Sequence, residues 1–248
     1  MSGHSKWSTI KRKKAAVDAK RGKIFTRLLR EITIAARIGG GDPAGNPRLR
    51  SAIQECKANN VPNDKVDRAI KKGTGELEGA ALEEIVYEGY APGGVAVLVE
   101  TMTDNRNRTV GEVRHAFSKY GGNLGENGCV SYMFDKRGYF LVDPETMGEE
   151  DFMELALDLE VDDVATEKGG YEMFSAPEDY NRIIEALEER GVAVAEKALA
   201  MIPSTTVPVP DDQAPQILRF MEAMEDLDDV QNVWANFDLS DTALESDA

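Results

Sequence analysis

The chain has 248 residues, with 29 Lys and Arg against 45 Asp and Glu, so its formal net charge is -16. Taken over the whole chain, this net charge argues against a nucleic-acid partner, because an acidic protein is repelled by phosphate. The residues are 42% hydrophobic and 30% charged, which is typical of a globular protein. No apolar run is long enough to span a bilayer, no secretory signal is evident, and the two cysteines lie far apart. We therefore expect a cytoplasmic protein without disulfides.

The charge is unevenly distributed along the chain. Residues 1–72 contain 18 Lys and Arg against 6 Asp and Glu, a net charge of +12. Residues 73–248 contain 11 basic and 39 acidic residues, a net charge of -28. Such an asymmetry indicates that the two parts of the chain have different partners.

The basic part has the apolar spacing of α-helices. Phe25, Leu28, Leu29, Ile32 and Ala36 recur on one helical face, and the cations of the same stretch fall on the opposite side. Glycine and proline turns separate three predicted helices, which are Ala15–Ile38, Pro47–Ala58 and Asp64–Lys72.

The acidic part alternates between strand and helix patterns. Two strands, a helix and a strand come first; the predicted ranges are Glu84–Tyr90, Val95–Thr103, Thr109–Tyr120 and Cys129–Phe134. After a turn at Asp135–Gly138, the order β-α-β-β-α-β is that of a ferredoxin-like unit. Its predicted ranges are Tyr139–Val142, Glu149–Leu159, Val161–Glu167, Tyr171–Ser175, Pro177–Arg190 and Val192–Ile202. An extended stretch at Thr205–Val209, a helix over Gln213–Asp226 and a strand over Val230–Phe237 follow.

This order predicts an α+β multidomain protein, with an N-terminal three-helix domain followed by two α+β domains of ferredoxin-like type. The last domain is inserted in the middle one, because the pieces on either side of it complete a sheet only together. The predicted units are a basic helical domain (1–76), a discontinuous α+β domain (77–137 with 205–240), an inserted βαββαβ domain (138–204) and an acidic tail (241–248). One continuous α+β body is the alternative.

The first thirty residues carry the strongest functional signal, with ten Lys and Arg opposed only by Asp18. Such a density of cations binds phosphates and releases counterions, and Trp7 is a candidate for stacking on a base. The predicted contacts in this stretch are Lys6, Trp7, Lys11, Arg12, Lys13, Lys14, Lys20, Arg21, Lys23 and Arg27, with Arg30 nearby. Docking on an acidic protein surface and a merely solvated helix face are the alternatives.

Two further segments are candidates for a second contact. Arg106 and Arg108 lie in the polar stretch Thr103–Thr109, where capping of a helix by Asn107 or Asp104 is the structural alternative. The glycine-rich loop Gly121–Gly128 is either a flexible connection or a place where backbone amides approach phosphate.

Catalytic and metal-binding patterns are absent from the sequence. His4 and His115 have no Cys or His at ligand spacing, and Cys56 and Cys129 have the pattern of core thiols. The acidic clusters, Glu225–Asp229 among them, are interpreted as solvating charge; a carboxylate-lined cleft between the two α+β domains, for a cation or a basic tail, is the alternative. We therefore expect a protein that is not an enzyme and has no metal or cofactor, with a carboxylate-dependent hydrolase as the weakest reading.

The sequence resembles the YebC/PmpR family in motifs spread over the whole chain. These are Gly3-His4-Ser5-Lys6-Trp7 with Asp18-Ala19-Lys20-Arg21-Gly22-Lys23, Glu88-Gly89-Tyr90, Thr103–Thr109, Gly121–Gly125, Met201-Ile202-Pro203 and Leu227–Val233. The resemblance implies a non-enzymatic cytoplasmic protein with one helical and two α+β domains. Bacterial members are described as DNA-binding transcriptional regulators, whereas mitochondrial relatives are translational activators and some bacterial ones are linked to the ribosome.

We expect a DNA-binding transcriptional regulator that acts through the basic helical domain. No helix-turn-helix with base-reading side chains is evident, so recognition of the backbone or of DNA shape is expected. The alternative is a ribosome-associated or rRNA-associated translation factor that uses the same basic arm, with Arg106, Arg108 and the Gly121–Gly128 loop reaching further RNA.

Overall fold

The computed structural model describes residues 21–79, 81–167 and 170–240. Most of the predicted basic contacts, from Lys6 to Lys20, and the acidic tail lie outside these residues. Three helices come first: α1 (Arg21–Gly39), α2 (Pro47–Ala58) and α3 (Asn63–Gly73). We call residues 21–79 the helical region and residues 81–240 the α+β region.

The helical region has its own apolar core. The core side chains come from all three helices and are Ile32, Ala35, Ala36, Leu49, Ala52, Cys56, Val61, Val66 and Ala69. Asn46 caps α2 by accepting a hydrogen bond from the Leu49 amide at 3.1 Å. Its buried amide group donates to the carbonyls of Ala35 and Gly40 at 2.8 and 2.9 Å, which fixes the turn between α1 and α2.

The α+β region contains ten strands and four further helices among the described residues. In chain order they are β1 (Glu83–Ala91), β2 (Val95–Thr103), α4 (Arg106–Lys119), β3 (Asn123–Leu124), β4 (Phe134–Val142), α5 (Glu149–Asp158), β5 (Asp163–Glu167), β6 (Gly170–Ser175), α6 (Tyr180–Glu189), β7 (Val194–Pro203), β8 (Val207–Pro208), α7 (Ala214–Glu225), β9 (Val230–Ala235) and β10 (Phe237–Asp238). The predicted α+β class is confirmed.

The strands form two antiparallel four-stranded sheets, with orders β3-β1-β2-β9 and β5-β6-β4-β7. The second order is that of a ferredoxin-like β-α-β-β-α-β unit. In the first sheet, β1 and β2 are the two central strands, and β3 and β9 lie at the edges. A short parallel pair, β8 with β10, completes the described strands.

The two sheets pack face to face, with helices on both outer sides. Val95, Val97 and Val99 of β2 face the core beneath α4 and α7, whereas Ala96 and Leu98 face the second sheet. This alternation follows from the period of two residues in a strand. The contact between the sheets also includes Trp234, Tyr139, Leu141, Phe174 and Ala200. β2 is therefore buried on both of its faces.

One predicted turn is wrong. Residues 135–138 do not form a turn but lie inside β4, which pairs with β7 from Phe134↔Pro203 to Val142↔Val194. The strand predicted before it, Cys129–Phe134, is also wrong: Ser131–Met133 form a 3-10 turn, and only Phe134 belongs to a strand, β4. Charged residues and a glycine suggested a turn, but pairing with β7 overrides that local preference.

Candidate nucleic-acid interface

Lys23, Arg27 and Arg30 lie four and three residues apart and so share one face of α1, which we call the cationic face. This face is turned toward the α+β region. Lys23 Nζ lies 2.9 Å from both the backbone oxygen and Oδ1 of Asp226, and Arg27 Nη2 donates to the carbonyl of Glu225. The cationic face therefore packs on the end of α7.

The partner of the cationic face is Glu225–Asp229, which we call the acidic segment. It carries four carboxylates in five residues and begins with Glu225, the last residue of α7. Helix C-termini leave carbonyl groups unpaired and carry partial negative charge, so cations are favoured there. Arg30 Nη1 donates to the carbonyl of Asp228 and completes the row of contacts.

The inner end of this contact is a buried carboxylate, Asp229, which is 1% exposed. Arg30 Nη2 lies 2.9 Å from Oδ1, and Arg108 Nη2 lies 2.7 Å from Oδ2. The hydroxyls of Thr103 and Thr109 donate to Oδ2 at 3.1 and 2.7 Å. Two arginines, one from each region, and two hydroxyls thus satisfy one carboxylate, as a buried charge requires.

The surroundings of Asp229 hold it in the charged form. Burial by itself raises the pKa of this carboxyl, but hydrogen bonds from Thr109 and Arg108 and the charge of Arg30 lower it more strongly. The resulting pKa lies below the ordinary value. Asp229 is therefore charged throughout the neutral pH range.

A cleft of about 430 Å³ opens along the junction of the two regions. Its lining is mostly cationic or small and consists of Gly22, Lys23, Thr26, Arg27, Arg30, Leu227 and Asp228. Three of these lining side chains are basic, so the charge of this cleft favours an anion.

The two arginines of the predicted second contact, Arg106 and Arg108, have different surroundings. Arg106, the first residue of α4, is exposed. Arg108 is engaged by Asp229 and, at 3.0 Å, by Asp104. The helix is capped by Asn105, whose Oδ1 accepts from the Arg108 amide at 3.1 Å, so the predicted caps Asn107 and Asp104 are wrong. α4 consequently starts three residues earlier than its apolar pattern indicated.

The glycine-rich loop is tied down rather than loose at its far end. The carboxylate of Glu88 is buried and accepts hydrogen bonds from the amides of Gly128, Val130 and Ser131 at 2.7, 2.9 and 2.8 Å. Burial raises the pKa of Glu88, but these three bonds lower it to below its usual range. Sequence reasoning missed this residue, although it belongs to the Glu88-Gly89-Tyr90 motif.

The 3-10 turn that follows this loop exposes an aromatic side chain. Tyr132 lies in the 3-10 turn and is 72% exposed. The hydroxyl of Tyr90 donates a hydrogen bond to the carbonyl of Cys129 at 3.1 Å, two residues before this turn. A large ring held on an anchored turn is a suitable surface for stacking.

Other cations of the helical region are exposed and form no ion pair with any carboxylate that the structure describes. This exposed set consists of Arg37, Arg50, Lys57, Lys65, Arg68, Lys71 and Lys72. A Cβ built on Gly73 would lie 3.1 Å from the Arg37 amide, so the C-terminal ends of α1 and α3 lie side by side. Arg37, Lys71 and Lys72 therefore belong to the same end of the helical region.

The remaining candidate residues from the sequence are the two cysteines and the two histidines. Cys56 is buried, and burial raises the pKa of its thiol to about 11, whereas Cys129 is half-buried and His115 is exposed. Within the part of the chain that the structure describes, no three His, Cys, Asp or Glu side chains form a group able to hold a metal ion. His4 lies outside the described residues.

Two family models match nearly the whole chain. One, described as "TACO1/YebC protein N-terminal domain", matches residues 5–76, and the other, "TACO1/YebC second and third domain", matches residues 82–237. The chain belongs to the TACO1/YebC family. The resemblance found in the motifs is thereby confirmed.

Curated relatives of this TACO1/YebC chain match it from end to end. A protein of Geobacter sulfurreducens is 57% identical over 245 residues, which are 99% of both chains. A protein of Desulfotalea psychrophila is 55% identical over 246 residues, 99% of this chain and 98% of the relative. Both are named probable transcriptional regulatory proteins.

A solved structure has the same fold as this TACO1/YebC chain. It is described as a conserved hypothetical protein from Aquifex aeolicus, is 47% identical, and covers 92% of this chain and 94% of its own, with a TM-score of 0.85. Across residues 21–79, 81–167 and 170–240, no helix combines the length and apolar character that crossing a bilayer requires.

Proposed function

We propose that this protein is a non-enzymatic, cytoplasmic, DNA-binding transcriptional regulator that binds phosphates through its basic helical domain. The observation that carries the proposal is the net charge of +12 on residues 1–72 against -28 on the rest. Phosphate contacts dominate the affinity of proteins for DNA, and a concentrated cluster of cations supplies them. The names of the relatives from Geobacter and Desulfotalea support a regulatory role.

The contacts that we propose come from two groups of cations. The first comprises the predicted residues Lys6, Lys11, Arg12, Lys13, Lys14, Lys20 and Arg21, with Trp7 as a stacking side chain. The second is the exposed set of the helical region. Both groups bind the backbone, so the protein senses the shape of the duplex more than its base sequence.

The domain division of the sequence prediction is part of the proposal. The helical domain (1–76) binds nucleic acid, while the discontinuous domain (77–137 with 205–240) and the inserted domain (138–204) form an acidic body. Because the acidic body repels phosphate, it restricts binding to one side of the molecule.

A second candidate function is that of an rRNA-associated or ribosome-associated translation factor. The observation that favours it is Tyr132, an exposed ring on a turn that Glu88 anchors. Unpaired RNA bases stack on such rings, whereas bases inside duplex DNA are not accessible to them. In this reading the same basic arm binds rRNA, and Arg106 extends the contact.

Crosslinking in cells, followed by sequencing of the bound nucleic acid, separates the two functions. Enrichment of promoter DNA supports the regulator, and enrichment of rRNA supports the translation factor. A Tyr132→Ala variant sharpens the result, because it should reduce crosslinking to RNA and leave crosslinking to duplex DNA unchanged. If neither nucleic acid is enriched over a control without crosslinking, both functions are contradicted.

A further inference from the structure

The cationic face of α1 is already occupied by negative groups of the same chain. Lys23, Arg27 and Arg30 each reach a backbone carbonyl of the acidic segment, and Lys23 and Arg30 also reach a carboxylate. Lys23 and Arg27 are among the cations that the sequence predicts as phosphate contacts. A row of oxygens spaced along a helix is also what a nucleic-acid backbone presents.

The contact between the cationic face and the acidic segment is weak at its outer end, Lys23 with Asp226, and strong at its inner end, Arg30 with Asp229. The Lys23 and Asp226 side chains are 40% and 69% exposed, so their ion pair is screened by salt and contributes little to stability. Asp229 is 1% exposed and is held by Arg30 and Arg108. The outer end can therefore open while the inner end keeps the two regions together.

The cleft lies on this outer part. Lys23, Arg27 and Asp228 all line it, and its volume of about 430 Å³ exceeds that of a phosphate group many times over. Asp228 is exposed, and only its backbone carbonyl receives a hydrogen bond from Arg30. Its side chain adds negative charge to the cleft without taking part in that hydrogen bond.

We propose that the acidic segment is an intramolecular competitor for the cationic face: phosphates of a bound nucleic acid displace Asp226 from Lys23 and the Glu225 carbonyl from Arg27, while Arg30 and Asp229 stay joined. The inference rests on the proposed function, since it assumes a nucleic-acid partner. Its consequence is that the intact protein binds nucleic acid more weakly than its basic part allows. Only a ligand with several phosphates overcomes the competitor.

The first test compares affinities of the full chain for a short DNA duplex and for a structured RNA at fixed salt. The variant Asp226→Asn with Asp228→Asn removes the carboxylate paired with Lys23 and the carboxylate that lines the cleft, and it leaves every backbone carbonyl in place. The control variant, Glu154→Gln with Glu185→Gln, changes the net charge equally at exposed positions on α5 and α6. The first variant should bind about threefold to tenfold more tightly than the control.

The second test observes the displacement itself. A carbodiimide activates carboxylates and joins them as amides to amines in direct contact, so it should link Lys23 to Asp226, whose charged atoms lie 2.9 Å apart. Lys197 and Glu188, 3.2 Å apart on β7 and α6, provide an internal reference in the same sample. Saturating duplex should lower the yield of the first crosslink severalfold and leave the second unchanged.

The outcomes distinguish this inference from the function on which it rests. If nucleic acid binds but the two variants have equal affinities, or the Lys23–Asp226 crosslink persists with ligand bound, the competitor is contradicted and the proposed function stands. If neither the wild type nor any variant binds duplex or RNA, the proposed function fails and the competitor fails with it.

Discussion

The guanidinium of Arg30 lies 2.9 Å from the carboxylate of Asp229, and this contact joins the helical region to the α+β region. On the far side of the same carboxylate, Arg108 binds from α4. A second connection runs through Arg48, which lies 2.6 Å from both Glu31 of α1 and Glu84 of β1. The orientation of the basic helices relative to the sheets therefore depends on a few charged groups.

Replacing Asp229 by Asn should destabilise the protein by about 3 kcal/mol, because it leaves two arginines without their buried counter-charge. Urea unfolding measures the loss. Asp226→Asn is the matched control in the same segment, and its exposed pair with Lys23 should cost less than about 1 kcal/mol. Equal losses in the two variants would contradict the special role given to Asp229.

The contribution of Asp229 should depend on pH with a definite sign. Its pKa in the folded protein lies below the ordinary 3.8, so the stabilisation is fully present above that value and is lost as the pH falls through the folded pKa. The difference in unfolding free energy between wild type and Asp229→Asn should be constant above about pH 5 and shrink below about pH 4. A difference that grows on acidification would refute the assignment.

Replacing Glu88 by Gln should loosen the turn that carries Tyr132. The neutral amide accepts fewer and weaker hydrogen bonds from the three backbone amides, at a cost of about 1 to 3 kcal/mol. Hydrogen exchange should accelerate at Gly128, Val130 and Ser131, while the amides of α5 keep their protection. Unchanged exchange at the three amides would show that the carboxylate does not hold the loop.

Replacement by alanine should have opposite effects on stability at two glycines, Gly73 and Gly111. A Cβ on Gly73 would lie 2.4 Å from the carbonyl oxygen of Thr33, so Gly73→Ala should push α3 away from α1 and cost about 1 to 3 kcal/mol. Gly111 lies within α4 with nothing within 4 Å of a built Cβ, so Gly111→Ala should stabilise by about 0.5 to 1 kcal/mol. Thermal unfolding of both variants checks the signs.

The helices of the basic part could be predicted because each is bounded by glycine or proline and has one apolar stripe. The structure places α2 at the predicted residues, Pro47–Ala58. β4 could not be predicted in full, because Asp135–Gly138 has the composition of a turn and is extended only through its pairing with β7. Local sequence does not contain that partner.

The candidate interface was predictable in its charge but not in its contacts. Lys23 and Arg27 were identified as cations, yet nothing in their spacing says that they face the acidic segment from the other end of the chain. The acidic segment itself was interpreted as solvating charge, which is wrong for the buried Asp229. Its place in the Leu227–Val233 motif was the available signal.

The most direct test of the central claim, that the basic part binds nucleic-acid phosphates, is the salt dependence of duplex binding by the full chain. The logarithm of the affinity should fall linearly with the logarithm of the salt concentration. Replacing Lys11, Lys13 and Lys14 by Glu should weaken binding and reduce the slope by about three, with an unchanged urea unfolding curve as the control. If the triple variant keeps the wild-type affinity and slope, the basic arm does not bind the duplex.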